Sequence, residues 1–539
     1  MSPETTNPAP AGAGRILPEG FRFGVATAAF QIEGGLNGPG EPKNNWIWWE
    51  NAGRVEPSGG AIRFWDDYED ILDRAQALGC DIFRLGIEWA RVEPEPGQID
   101  TAALDRYEAI LLACLERGME PMLTLHHFTH PYWLGDDFWL SSESPDLYAR
   151  WVRLVADRLG KHVRYWITIN EINIVAFGSY VIGIYPPGRR IALGDFNRAT
   201  GHLVAAHVKG YQEIHDRFPE ALVSTNNSST STYEYDRLFI DLLLAKASGV
   251  ARDSLEEWIA EKRRIWYAAI DRGSGVENFI RRAAGAVSPI APTSFFGGGA
   301  GGAAGGGGAG GAVGGAGGAV GGGAYARRIG KSKRASDSFS SFVPAIEAVY
   351  DSKYDLTLDA IAIDYYDPVA SNHVAIPGKP TAGGRSMSAG GEIWDERVNP
   401  AGMSTYIKAN IEQCFEVNQA RGRPLDLWMV ENGMCNRVRR GRPYDRMDLW
   451  DRPRYLLENI AAMVDSIDRG MPVTAYLHWT LVDNYEWGSY EPRFGIHGVD
   501  RERNLRVMDT DAMGRDAAGT YRRLIKGLRE GDRSVLESA

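Results

Sequence analysis

Along most of the chain, short apolar runs alternate with longer stretches in which apolar residues recur every three or four positions. The runs are Phe23 to Ala28, Ile82 to Ile87, Met122 to Leu125, Tyr165 to Ile169, Ala221 to Thr225, Ala360 to Ile363, Leu427 to Val430 and Val473 to Leu477. Each has the length of a buried strand. In Phe64 to Gly79, Tyr68, Ile71, Leu72, Ala75 and Leu78 fall on one helical face, and Gly79 sits where a helix C-cap belongs. Leu104 to Gly118 and Pro145 to Gly160 repeat the design. Strands alternating with helices predict an α/β fold with a parallel sheet. Eight such units fit a single-domain (β/α)8 TIM barrel. An open doubly wound sheet is the alternative, but no Gly-rich dinucleotide fingerprint follows the first run.

One segment breaks the alternation. Gly297 to Ala324 is Gly and Ala apart from Val313 and Val320. Such a stretch buries too little apolar surface to offset the entropy of ordering it. With the basic residues that follow, 297–336 reads as a disordered insertion between the fifth and sixth strands. The run is no phosphate cradle, because the Lys-Ser/Thr pair and flanking strand and helix of a P-loop are missing. The domain reading is therefore a flexible tail over 1–18, a catalytic barrel over 19–530 interrupted by 297–336, and a C-terminal tail over 531–539.

The net charge of −11 weighs against a nucleic-acid partner, whose phosphates demand a basic surface. Four widely spaced cysteines, Cys80, Cys114, Cys414 and Cys435, show no metal-ligand spacing and too few pairs for a disulfide framework. They read as free thiols in a reducing compartment. Met1 to Gly20 has no apolar core of a signal peptide, and no later run is long enough to span a membrane. A cytoplasmic protein without a membrane partner is the expectation, with the oligomeric state left open.

Barrel enzymes place their chemistry at the C-terminal ends of strands. Tyr165-Trp166-Ile167-Thr168-Ile169 delivers Asn170-Glu171, and Leu427-Trp428-Met429-Val430 delivers Glu431-Asn432-Gly433. One acidic residue at a strand end reads as a solvated loop residue. Two, on strands four and seven of one barrel, converge on the same mouth. Paired carboxyls are what glycoside cleavage needs: one protonated to donate to the leaving oxygen, the other ionised to attack or to activate water.

These motifs resemble those of the family 1 glycoside hydrolases, typified by β-glucosidases and β-galactosidases. Phe23-Gly24-Val25-Ala26-Thr27-Ala28-Ala29-Phe30-Gln31-Ile32-Glu33-Gly34 is similar to the family's opening motif, and Asp81 to Arg91 to its second strand. Thr124-Leu125-His126-His127-Phe128 resembles the third, Thr168-Ile169-Asn170-Glu171 the fourth and Val430-Glu431-Asn432-Gly433 the seventh. Trp479 to Trp487, followed by Arg493-Phe494-Gly495, resembles the eighth. The resemblance spans nearly the whole chain in the family's order. It implies an exo-acting, retaining β-glycosidase with Glu171 as acid/base and Glu431 as nucleophile. Arg84 would keep Glu431 ionised, a role compatible with tying strand ends together, and Tyr366 would donate to Glu431. Asn170 would bond the sugar 2-hydroxyl. Gln31, His127, Glu486 and Trp487 would take other hydroxyls, and Trp479 would stack on the ring. A carboxylate at Glu486 would repel a 6-phosphate, which points to unphosphorylated β-glycosides. No cofactor or metal is implied.

Departures accompany the resemblance. Asp364 stands where the family usually has Asn, Phe128-Thr129 replaces its Trp-Asp, and Ile62 to Asp67 replaces a His-Tyr-rich stretch. Either Asn226 or Asn227 supplies the fifth-strand Asn. A transglycosylase of the same fold and a non-catalytic sugar-binding barrel are the competing readings.

Overall fold

The computed structural model describes residues 15–230, 232–270, 339–366, 398–446, 448–502 and 504–537. The insertion expected over 297–336, and most of the expected N-terminal tail, lie outside the described residues. In chain order the strands are β1 (Arg22–Ala26), β2 (Ile82–Gly86), β3 (Glu120–Thr124), β4 (Tyr165–Ile167), β5 (Leu222–Ser224), β6 (Asn226–Ser228), β7 (Ala360–Tyr365) and β8 (Asp426–Asn432). An outer hairpin, β9 (Asn436–Arg439) and β10 (Arg442–Tyr444), precedes β11 (Val473–Trp479).

All barrel pairings are parallel, in the order β5-β4-β3-β2-β1-β11-β8-β7-β6. The eight expected strands are present. The fifth is divided at Thr225: β5 pairs with β4, while β6 pairs with β7. The barrel is therefore an α/β TIM barrel whose ring closes through the chain at that point. Asp359 bridges the division below it, its N–H donating to the Val223 carbonyl at 2.8 Å and its carboxylate accepting from the Val223 N–H at 2.8 Å.

Alternation along each strand sorts residues into two cores. Ile82, Met122, Tyr165, Ile167, Ala362, Trp428, Val430, Ala475 and Leu477 pack inside the barrel. Phe83, Leu85, Leu123, Trp166, Ile361, Ile363, Met429 and Tyr476 face the helices. This is the period of two expected of a pleated strand. It also decides the site. Two residues beyond an inner apolar residue lies the next inward position, so Ile82 is followed by Arg84, Met122 by Thr124 and Leu477 by Trp479. The barrel is apolar below and polar at its C-terminal mouth.

The helices match their sequence signals. Phe64–Leu78 ends at Gly79, whose φ of 84° is the left-handed C-cap that favours glycine. Thr101–Glu116 starts at Asp100, whose carboxylate accepts from the Ala103 N–H at 3.0 Å. Such a cap contributes about 1 kcal/mol. The four cysteines are buried and unbridged. Of the expected C-terminal tail over 531–539, residues 531–537 are described. Arg533–Leu536 forms a turn in which Val535 is buried against Gly527 and Arg533 pairs with Asp468 at 2.6 Å.

Candidate active site

Glu431 is the last residue but one of β8, and Glu171 lies beyond β4, at the start of the helix Ile172–Phe177. Glu171 has a φ of 44°, a left-handed conformation that non-glycine residues rarely adopt and that clusters at functional sites. Its N–H donates to Asn226 Oδ1 at 3.3 Å. Both carboxyls are buried. One oxygen from each, together with one from Asp364, lies within 4.8 Å of the others.

Arg84 is the centre of the arrangement. It is fully buried, and its guanidinium donates to four partners. Nη1 bonds Glu431 Oε1 at 2.7 Å and the Val430 carbonyl at 3.3 Å; Nε bonds Thr124 Oγ1 at 3.0 Å; Nη2 bonds Asn170 Oδ1. The Tyr366 hydroxyl donates to the other Glu431 oxygen at 2.9 Å. Burial pushes Glu431 above the ordinary carboxylate range, and Arg84 and Tyr366 hold that rise back.

Asn170 has its orientation fixed by its neighbours. Its carbonyl accepts from Arg84 and from Asn226 Nδ2, the latter at 2.8 Å, so its amide must donate, here to His127 Nε2 at 3.1 Å. Burial, then the charge of Arg84, lowers His127 well below its ordinary value and keeps the ring neutral. With Nε2 accepting, the proton sits on Nδ1, which is buried and has no protein partner.

Gln31 donates from Nε2 to the Tyr485 carbonyl at 2.9 Å and to Glu486 Oε2 at 3.2 Å, while its own buried oxygen has no partner. Trp479 Nε1 donates to the other Glu486 oxygen at 3.3 Å. Burial lifts the Glu486 carboxyl to about 8. His127 lies nearly parallel to both Trp479 and Trp487, with ring centres 5.7 and 5.5 Å away. Phe128, Tyr185, Trp46 and Phe30 extend the aromatic wall around Trp487. A buried amide oxygen and a buried imidazole N–H beside indole faces suit a ligand that offers hydroxyls on one side and C–H bonds on another.

All ten residues singled out from sequence sit at this mouth or are bonded to others that do. The structure also resolves the asparagine ambiguity. Asn226 bonds Asn170 and Asp364, whereas Asn227 turns outward to the Tyr406 hydroxyl at 2.8 Å. Thr124, which positions Arg84, was legible only as part of a strand motif. Thr129, at a departure from the family pattern, donates to the buried Glu88 at 2.8 Å. The spacing of Glu171, Asp364 and Glu431 could hold a cation, but the Arg84 guanidinium already supplies one to Glu431.

A parallel eight-unit barrel with two buried carboxyls this close at its C-terminal mouth defines a class, the retaining glycosidases. The profile of the family described as Glycosyl hydrolase family 1 matches residues 14–263 and 318–526, and the chain belongs to that family. It is a retaining O-glycosyl hydrolase. The chain is 23% identical over 508 residues to a 6-phospho-beta-galactosidase 1 of Streptococcus pneumoniae, covering 93% of this chain and 97% of that one. It is 23% identical over 549 residues to a beta-glucosidase of Agrobacterium sp., covering 97% and 98%. Among solved structures, a beta-glucosidase from Thermotoga maritima in complex with azafagomine shares the fold with a TM-score of 0.63. It is 21% identical, over 96% of this chain and 99% of that one.

Proposed function

We propose that the protein removes the non-reducing-end sugar from unphosphorylated β-glycosides by double displacement, with Glu431 as nucleophile and Glu171 as acid/base. The observation that carries this reading is the approach of the two carboxyl groups, oxygens within 4.8 Å. Retaining enzymes need about 5–5.5 Å, and inverting enzymes about 6.5–9.5 Å to admit a water. The roles follow from the partners. Glu431 has the cation, so it is the group held for attack on the anomeric carbon. Glu171 shares the mouth with it, one residue from Asn170, and carries the proton to the leaving oxygen. Once that oxygen departs, Glu171 takes a proton from water, which cleaves the glycosyl ester on Glu431.

The sugar is held by the unfilled groups. His127 Nδ1–H donates to one hydroxyl, Gln31 Oε1 accepts from its neighbour, and Glu486 bridges the next pair. Asn170 takes the 2-hydroxyl, where hydrogen bonds tighten as the oxocarbenium ion develops. Trp479 and Trp487 border the ring. Preference for an unphosphorylated sugar rests on Glu486. Its hydrogen bonds come from an amide and an indole, not from a cation that could take a phosphate. At 23% identity to both a phospho-galactosidase and a glucosidase, that preference belongs to this chain's own residues.

Glu431→Gly tests the assignment. Hydrolysis of an aryl β-glucoside falls by at least about 10⁴-fold, as for loss of a covalent nucleophile, and azide or formate restores turnover. Undiminished activity in the variant overturns it. A panel comparing aryl glucoside with its 6-phosphate tests the sugar: faster turnover of the phosphate rejects the role given to Glu486.

A further inference from the structure

Asp364 is the buried group that the proposed mechanism leaves unused. It lies at the end of β7, directly opposite Glu431 in the register with β8. It is fully buried. Oδ2 accepts from Asn226 Nδ2, and Oδ1 has no protein partner. The groups facing it from the packed strands are Glu431 on β8, Glu171 after β4, Arg84 on β2, Asn226 on β6 and the neighbouring Tyr366 hydroxyl. Only one of these is a cation, and its short contact is with Glu431.

Asp364 and Glu431, if both ionised, would share the guanidinium that bonds Glu431 and leave Asp364 a buried charge answered by an amide. Like charges this close do not all ionise, and opposed like charges destabilise neighbouring strands. Glu431 has Arg84 and Tyr366; Asp364 has an amide on one oxygen and nothing on the other. We infer that Asp364 is a third acid of the site, a positioning residue that keeps its proton through turnover and offers its Oδ1 hydroxyl as an uncharged donor toward Glu171 and Glu431. The inference rests on the roles proposed for those two residues.

Charge bookkeeping supports the assignment. At rest, Arg84 is positive, Glu431 negative, and Glu171 and Asp364 each hold a proton, so the group is neutral. When Glu431 bonds the anomeric carbon and the Glu171 proton goes to the leaving oxygen, the ester is neutral and Glu171 negative. The sum is again zero. Water then adds to the anomeric carbon, its proton passes to Glu171, and the bond to Glu431 breaks. The Asp364 proton never leaves. An ionised Asp364 would add a negative charge at every stage and draw a proton onto Glu431, removing the nucleophile. Burial, then the charges of Glu431 and Glu171, push Asp364 well above its ordinary value, in the same direction.

Two substitutions separate an acid from an anion at this position. Asp364→Ala offers no donor, and kcat for an aryl β-glycoside falls at least about tenfold. Asp364→Asn offers an uncharged donor of the same shape and recovers most of that loss. Infrared difference spectra at neutral pH, wild type against Asp364→Asn, show a carboxylic-acid carbonyl band present only in the wild type. An Asn variant as impaired as the Ala variant, or no acid band, overturns the inference. Should Asp364→Asn not fold, Asp364→Ser supplies the same infrared comparison, and the absence of an acid band again overturns it. The infrared reading needs no substrate, so it stands even if the Glu431→Gly result rejects the proposed roles.

Discussion

Arg84 sets the electrostatics of the site from a single buried position. Removing it takes from Glu431 its charged partner at 2.7 Å and leaves it the Tyr366 hydroxyl, and breaking a buried pair costs about 3–5 kcal/mol. Arg84→Leu should therefore lower kcat/KM by roughly 10²–10³-fold. Because Arg84 holds the Glu431 pKa down, the acid limb of the pH profile should move upward in the variant, which steady-state rates across pH will read. Glu486 gives a second prediction, in stability. Its carboxyl keeps a proton up to about 8 in the folded protein. The unfolded chain loses that proton near the ordinary value of 4.5. Between those values the unfolded state binds fewer protons than the native one, so stability falls as pH rises and then levels off. Glu486→Gln should raise the melting temperature at pH 8 by roughly 2–4 °C and leave it little changed near pH 4.5. At this scale the sequence was informative wherever a residue sits in a strand-end motif. It did not disclose that Glu486 is protonated at neutral pH, because burial and the absence of a cation are properties of the folded surroundings.

The strands show where pattern suffices and where it does not. Apolar runs of strand length located all eight, since each must be buried on both faces of a parallel sheet. Inward and outward sides followed from strict alternation. The division of the fifth strand did not, because Asn226 and Asn227 are chemically identical neighbours. Register alone turns one toward Asn170 and the other toward Tyr406, and a slip by one residue exchanges the faces. Close backbone approach was hidden as well. A Cβ on Gly433 would stand 2.1 Å from the Trp479 carbonyl oxygen. That oxygen belongs to the backbone of β11, which cannot yield without moving the indole that bonds Glu486. Gly433→Ala should cost about 1–3 kcal/mol of stability, read by denaturant unfolding. Displacing the wall of the site by about an ångström should also lower activity by up to roughly 10²-fold.

For the molecule as a whole, the family match leaves out residues 264–317, which contain most of the Gly/Ala run. Deleting Gly297 to Ala324 should accordingly leave kcat within about twofold of wild type, a change of at most about 0.4 kcal/mol in barrier. Comparing the mass of the two forms in solution would reveal any part the run plays in assembly. Among the described residues no helix is long and apolar enough to cross a membrane. The interruption of the hydrogen-bonded ring at Thr225 has a thermal consequence. Sheets loosen first where their ladders are thinnest. Here that point adjoins Asn226, which fixes Asn170, the Glu171 backbone and Asp364 together. On warming, the enzyme should stop working before it melts. Initial rates should collapse at a temperature where circular dichroism still reports an intact barrel, and they should return on cooling. Coincident loss of rate and secondary structure would show that the break is as firm as the rest of the ring.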